Sequence, residues 1–378
     1  PDINCGDPIG WGPCPSSAYN GLRSTSADLV LNGPENLTIV TEQIVHRIVF
    51  DGNRAVGIET KNNSYYATKE VILSCGSLDT PKLLMLSGVG PADELAKLNI
   101  PILKDLGHVG KGLRDHNHLD MLWKRAEHTS EKWKYYRNPE AIAAAIAQWD
   151  KDQTGPLAHY NANFPIAFLK NERIYASAEF EALPEDVKNH LRAPTVPLFE
   201  VIIGAVDARD MMDPTQSEAS LPVHVFMLNG QSRGEITLQS HDAADPAIFN
   251  PNAFSHPFDR RVAIEATRET MRLISSPAFS KDTIGVVKLP ASDSDEDILA
   301  YWREQAISTW HMTGTAKMGK AGEEDACVDN DLRVFGTTSL RIADMSICPV
   351  LPNNHTQTSA YYIGATAGDK LAAEYKLD

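Results

Sequence analysis

Two histidines in the last third of the chain have the side chains best suited to chemistry. His311 lies in STWHMTGTAKMG (308–319) and His355 in LRIADMSICPVLPNNHTQ (340–357), each beside small, turn-forming residues. An imidazole titrates near neutrality, so two of them brought together from separate segments suit acid/base work. The bland alternative for either is a hydrogen-bonded structural histidine. A metal is not expected at this pair, which has neither a fixed HxxxH spacing nor a Cys pair beside it. Pro352 and the Asn353–Asn354 pair should carry the chain out of regular structure just before His355. A base also needs a partner that orients the substrate oxygen. His311 and His355 are therefore expected side by side, within reach of one small oxygen atom.

Several elements must position them. The apolar segment at 68–75 reads as a strand that leads into Gly76 and a helix beginning near Thr80–Pro81, a phosphate- or nucleotide-facing geometry. Pro81 fits a first helical turn, and Gly88 supplies a left-handed cap after 81–87. Residues 36–60 are dense in β-branched side chains and break at Asp51–Gly52–Asn53, which predicts three strands with a hairpin turn. Short helices are expected at 21–31 and 92–98, and an irregular start over 1–20, rich in Gly, Pro and Ser. Further on, 138–150 reads as a helix, and 198–206, 222–230 and 232–240 as strands of an antiparallel sheet. A long helix is expected within 245–276, with Val262, Ile264, Met271 and Ile274 at roughly helical spacing. A capped acidic helix follows at 291–305, then a strand ending at Asp344 and a final helix over 358–377.

Composition sets the outer bounds. The 378 residues are 42% hydrophobic, enough for a large core and one or two domains. With 35 basic against 50 acidic residues the net charge is −15, which argues against nucleic acid and anionic membranes as partners. The longest apolar run, 141–147, is too short to span a bilayer, and no signal peptide is visible at the start of the chain. Of five cysteines, Cys5 and Cys14 lie close enough in sequence to pair, while Cys75, Cys327 and Cys348 read as buried thiols. Sequons at Asn36, Asn62 and Asn354 would suit a secreted glycoprotein, although Asn354 is expected to be buried.

The segment 76–91, GSLDTPKLLMLSGVGP, brings a specific resemblance. Gly76, Thr80–Pro81, Leu83–Leu84 and Ser87–Gly88–Val89–Gly90 match, without a mismatch, a long signature of the glucose–methanol–choline (GMC) flavin oxidoreductases. Together with the two histidine segments the chain resembles that family, most closely its aryl-alcohol oxidase branch, from about residue 18 to the C-terminus, with a weak patch over 120–220. The resemblance implies an α/β (α+β) fold. An incomplete FAD-binding, Rossmann-like domain would be built from 1–115 and 306–378, with an antiparallel-sheet substrate domain, 116–305, inserted. It implies that His311 is the general base and that His355 hydrogen-bonds and orients the same substrate oxygen. It places Val45, Gly76, Asp115, Asp344, Thr356 and Gln357 against FAD, Val45 through its backbone. Trp310 and Asn354 would line the substrate pocket. Val45, Asp344 and Trp310 also have plain structural readings: a sheet valine, a helix or turn cap, and a core tryptophan. Gly112 stands where the family usually has Asn, which weakens a flavin contact there, while Asp115–His116 keep the pattern.

The G-x-G-x-x-G turn that grips the ADP half of FAD is not found; Gly10/Gly12 and Gly110/Gly112 each lack the third glycine. The chain thus resembles the C-terminal two thirds of a GMC protein. An N-terminal fragment or second chain that completes the FAD domain, a truncated product, and a protein that has abandoned flavin all remain open. The function implied is oxidation of a small alcohol CH–OH to a carbonyl. The rivals are a non-redox lyase or dehydratase on the same fold, and a remnant that binds a partner chain.

Overall fold

The computed structural model describes residues 2–31, 33–129, 138–159, 164–204 and 219–377. It is a mixed α/β chain that divides into two units, one of 1–39, 117–229 and 257–307, the other of 40–116, 230–256 and 308–378. This division differs from the expected one in two places. Residues 1–39 join the first unit because Gly10–Pro13 is a strand, not irregular chain, paired antiparallel with the edge strand Pro165–Leu169. Residues 230–256 join the second because Gly234–Thr237 pairs with Lys111–Leu113 and Ile248–Asn250 instead of extending the large sheet. Two features explain that choice. Lys111 stands opposite Glu235 in register, with an ion pair of 2.7 Å. At Gly234 any Cβ would lie 2.3 Å from the Asn250 carbonyl oxygen, so only glycine admits the crossing.

The first unit is built on an antiparallel sheet. Its order is Gly10–Pro13, Pro165–Leu169, Phe199–Ile203, Ser220–Met227, Asn117–Arg125, Thr283–Lys288. Every residue of Phe199–Ile203 is buried. The long helix Pro257–Ile274 turns Phe258, Val262, Ile264 and Ile274 inward, while Met271 is half-buried. Helix Asp295–Gln305 is capped by the Ser294 hydroxyl, which accepts the Asp297 N–H at 3.2 Å, and it buries Trp302, whose Nε1 donates to Thr267 Oγ1 at 2.8 Å. The expected helices also form at Ala27–Leu31 and Pro139–Asp152. Residues 205–206, the end of the expected strand 198–206, lie outside the described residues.

In the second unit Val71–Leu73 pairs with Leu340–Ile342 in parallel, and Val45–Asp51, Arg54–Thr60 and Ser64–Tyr66 form an antiparallel sheet. The turn between the first two falls at Gly52, as its residue types require, with φ +59°. Residues 36–44 are not a strand. Leu37, Ile39, Val40 and Ile44 are exposed and no described strand pairs with them, so β-propensity alone does not order them. Among the cysteines, all five are free thiols; Cys5 and Cys14 are not bonded, and Cys75, expected buried, is exposed. Burial pushes the Cys327 thiol up to about 12. No described helix is long and apolar enough to cross a membrane.

One ion-pair network closes the parallel pair. Arg341 is 2% exposed and grips Glu70 with two hydrogen bonds, of 2.5 and 2.8 Å, while donating to the Asp331 carbonyl at 2.7 Å and to Glu374. Tyr375 Oη donates to Glu70 at 2.7 Å, so the last helix, Gln357–Tyr375, is tied to the strand ends. Burial would raise the Glu70 carboxyl, but the hydrogen bonds of Arg341 and Tyr375 outweigh it and hold it below the usual range. Glu70→Ala should therefore cost about 3 kcal/mol in urea unfolding, because it strips a buried guanidinium of its best partner. Since the folded pKa is depressed, the contribution is present above the unfolded carboxylate pKa and disappears as pH falls through the folded one. The wild-type advantage over Glu70→Ala should shrink below about pH 4.5; an advantage independent of pH would contradict the assignment.

Candidate active site

The site begins with a proline inside a helix. The helix runs Gly76–Leu86, four residues earlier than expected, so Pro81 sits in its interior rather than at its first turn. Pro81 has no N–H for the carbonyl four residues back, that of Ser77. The Thr315 hydroxyl donates to that carbonyl at 2.7 Å, and the Ser77 hydroxyl donates in turn to the Met312 carbonyl at 2.6 Å. The proline thus opens a helical carbonyl that fastens the loop carrying His311. Gly88, at φ +82°, ends the helix as expected, its N–H donating to the Met85 carbonyl at 3.0 Å.

A second strap lies along the same loop. Gly110 donates to Thr315, Arg114 and Thr313 exchange two backbone bonds, and Thr309 donates to the His116 carbonyl. Gly314, at φ +86°, marks the close approach: a Cβ there would come 3.1 Å from the Gly112 carbonyl. Asp115 anchors the turn. One oxygen accepts the His311 N–H at 2.9 Å and the other accepts the Ser308 hydroxyl, whose own oxygen accepts the Trp310 N–H at 2.9 Å. These bonds hold Trp310 at φ +58°, a left-handed conformation that is strained for a tryptophan. The kink turns His311 inward, 8% exposed, and leaves Trp310 75% exposed. Burial pushes the Asp115 carboxyl up to about 6 against the hydrogen bonds of Ser308, His311 and His116, which lower it.

Three imidazoles meet around His311. Its ring lies edge-on to His355, with centroids 5.0 Å apart and planes at 80°, and edge-on to His116, at 5.2 Å and 82°. His116 Nδ1 and His311 Nδ1 are 3.0 Å apart, a hydrogen bond that needs one proton between them. His116 is 2% exposed, and burial, then the charges of His311 and His355, hold it well below the usual histidine range. Burial thus favours its neutral form. His355 is exposed, so the cluster opens on its side. In the sequence His116 stands out only through the Asp115–His116 pattern, and both residues follow the strap that pairs with the His311 loop.

The other expected site residues fall as follows. Asp344 accepts from Thr80 Oγ1 at 2.6 Å and the Gly76 N–H at 3.1 Å through one oxygen, and from the Ser346 N–H at 2.8 Å through the other, capping Met345–Ile347. Gly76 opens its helix at φ +80° with nothing within 4 Å of a Cβ position. Val45 begins its strand and packs on the core of its unit. Thr356 stands just before the last helix without a side-chain capping bond, and Gln357 opens that helix. Asn354 is half-buried beside Ser359, their side chains 3.4 and 3.5 Å apart.

The Thr315–Ser77 bond yields a direct test. Thr315→Val should lower unfolding stability by about 1–3 kcal/mol, because it leaves a buried carbonyl unpaired at nearly unchanged volume. Thr315→Ser, which keeps the hydroxyl, should recover most of the loss. Equal losses for both would mean that the methyl group, not the hydrogen bond, matters.

Comparison with known proteins agrees with this architecture. Family models described as GMC oxidoreductase match residues 2–118, with the N-terminal model, and 230–364, with the C-terminal one. The first match reaches closer to the start of the chain than the resemblance read from residue 18. Dehydrogenase pkfF of Emericella nidulans is 30% identical over 98% of this chain and 61% of its own length. Pyranose dehydrogenase of Agaricus xanthodermus is 30% identical over 99% of this chain and 63% of its own. The solved structure of a formate oxidase variant from Aspergillus oryzae RIB40, in a study of its FAD modification, superposes with a TM-score of 0.88. It is 28% identical, covering 97% of this chain and 66% of that one. The chain thus spans between about half and two thirds of the length of the relatives it matches. With a matched fold, the signature helix and the paired histidine segments in place, the chain belongs to the GMC oxidoreductase family.

Proposed function

We propose that this chain forms the catalytic part of an FAD-dependent enzyme that oxidises the CH–OH group of a small alcohol to a carbonyl, with His311 as the general base. The observation that carries this reading is the edge-on cluster of His116, His311 and His355. In this reading the proton of the Nδ1–Nδ1 contact belongs to His311, and His116, whose charged form burial disfavours, is the acceptor. That tautomer makes Nε2 the basic nitrogen of His311, and the same bond persists after Nε2 has taken up a proton. His355, on the open side, is the group suited to hold the substrate oxygen while its proton leaves. The residues also suit the cofactor. The parallel strands end beside a helix N-terminus at Gly76 with open space above it, and the buried atoms His116 Nε2, Thr313 Oγ1 and Asn353 Oδ1 have no protein partner. Val45, Gly76, Asp344, Thr356 and Gln357 are the residues that would hold FAD, and Asp115 would act through the His311 turn. When bound, FAD supplies the acceptor for the hydride lost by the carbinol carbon. Trp310 and Asn354 border the cluster in sequence and are the proposed pocket residues.

The printed names of the relatives, pyranose dehydrogenase and choline dehydrogenase among them, support an alcohol-oxidising activity for the full protein. No observation favours the non-redox rival. A flavin absorption spectrum together with turnover of an alcohol panel is the decisive experiment. His311→Ala should then lower kcat by about 10²–10⁴-fold with a smaller change in KM, whereas His355→Asn, which keeps a hydrogen-bond donor, should be milder. A colourless protein that still converts an alcohol would overturn the redox reading. Equal small effects of both substitutions would overturn the roles given to the histidines.

A partner segment belongs to the same proposal. The parallel pair of the second unit has only two strands, with Ile72 42% exposed, although parallel strands are normally covered on both faces. Helix Gln357–Tyr375 buries only Ala367 and leaves Tyr362 75% exposed. We infer that an N-terminal fragment or second chain covers these surfaces. Sedimentation of the isolated chain should show self-association or a bound second chain; a soluble monomer of the chain mass would refute it.

A further inference from the structure

Away from the imidazole cluster, three ligand-type side chains converge on one face of the large antiparallel sheet. His118 and Asp120 lie two residues apart on strand Asn117–Arg125, so they point to the same side. His224, on strand Ser220–Met227, stands directly opposite Asp120 in register. Asp120 Oδ1 is 2.7 Å from His224 Nδ1 and 3.5 Å from His118 Nε2, and the three ligand atoms lie within 4.8 Å of one another. The side chains of His118 and His224 are 11% and 12% exposed, that of Asp120 29%.

We propose that His118, Asp120 and His224 form a binding site for a divalent transition-metal ion, with Zn²⁺ the best-suited occupant. Two imidazoles and one carboxylate are a borderline ligand set that selects Zn²⁺ and its first-row neighbours over Mg²⁺ or Ca²⁺, which prefer oxygen ligands alone. Bonds of about 2.0–2.1 Å place tetrahedral ligand atoms roughly 3.4 Å apart. The observed spacings bracket that value, so side-chain rotations suffice to close the site. Its surroundings fix the ligands as an outer shell does. Phe226 stacks on the His118 ring, with centroids 4.8 Å apart and planes at 23°, and Tyr301 Oη donates to the Asp120 backbone carbonyl at 2.9 Å. Three protein ligands leave a fourth position for water on the exposed side of Asp120. An ion here would cross-link two neighbouring strands, Asn117–Arg125 and Ser220–Met227. The sequence signal is the alternation His-x-His-x-Asp at 116–120, which a search for helical HxxxH or Cys spacing passes over. The inference does not depend on the proposed oxidase reading.

The competing account is a plain carboxylate–imidazole pair with no ion. Titration of the purified chain with Zn²⁺ alone, by calorimetry and elemental analysis after dialysis, separates the two. One retained Zn²⁺ per chain and a Tm that rises with Zn²⁺ and falls back with chelator are expected. Replacement by Co²⁺ should give visible bands of a four-coordinate ion. His118→Gln leaves the Asp120–His224 pair intact, and it should weaken Zn²⁺ binding by more than the roughly 10–100-fold that loss of an outer-shell partner costs. Its circular dichroism and Tm without metal should match the wild type. His224→Gln should remove binding as well. Absence of stoichiometric Zn²⁺, or Zn²⁺ binding unchanged in both variants, would overturn the proposal, the second because the ion would then sit elsewhere.

Discussion

A missing N–H organises the second unit. Pro81 lies where a helix would otherwise bond the Ser77 carbonyl, and the buried carbonyl must find another donor or cost about 1–3 kcal/mol. It finds Thr315, from a segment more than two hundred residues away. Ser77 returns a bond to Met312, and Asp344 gathers Thr80, Gly76 and Ser346 at the same end of the helix. Local frustration in one helix is thus converted into long-range connections. The loop bearing His311 is held from behind by a rigid element, which suits the general-base role proposed for it.

The front of the loop is fixed by different physics. Trp310 adopts a left-handed conformation that costs of order 1 kcal/mol or more, so something must over-determine it. Asp115 does so, accepting from the Ser308 side chain and the His311 backbone. The same burial that makes its carboxyl hard to ionise makes these hydrogen bonds strong. His116, next in sequence, is desolvated further, which disfavours its charged form and so spares the pair the repulsion of two neighbouring imidazolium ions. Two adjacent residues of one strap therefore bear on the same histidine, one by holding its backbone turn and the other by a ring-to-ring hydrogen bond.

Much of this was legible in the sequence, and the reasons differ by residue. His311 and His355 could be paired because each stands beside turn-forming residues in a segment of distinctive composition. The helix after Gly76 was visible, but its start was misplaced, because Pro81 was read by its usual first-turn preference while the donor that permits an interior proline lies far away in sequence. Residues 232–240 alternate as a strand should, yet their partner depends on Gly234 and on the Lys111–Glu235 register, neither of which periodicity reports. Residues 36–44 have strand-like composition but no partner strand among the described residues. Gly10–Pro13 shows the reverse: poor propensity, rescued by an available edge. Non-local pairing decided each case.

The parallel pair shows how such pairing is made to hold. Each strand contributes three residues, Val71–Leu73 and Leu340–Ile342, a length that ladder bonds alone do not stabilise in water. Leu73, Leu340 and Ile342 reach into the core, but Ile72 faces outward. The pair is secured instead by Arg341 at its centre, buried and bonded to Glu70, Glu374 and the Asp331 carbonyl. A guanidinium suits this place, since its planar fork satisfies two carboxylates and a carbonyl at once, where an ammonium offers a single point of charge. A buried pair of this kind adds less stability than a packed apolar contact would, but it is unforgiving of misregister. A slip of one residue would move Arg341 to the opposite face of its strand, away from Glu70. The network therefore fixes register in a pair too short to fix its own, and through Asp344, two residues beyond the strand, it sets where the signature helix begins.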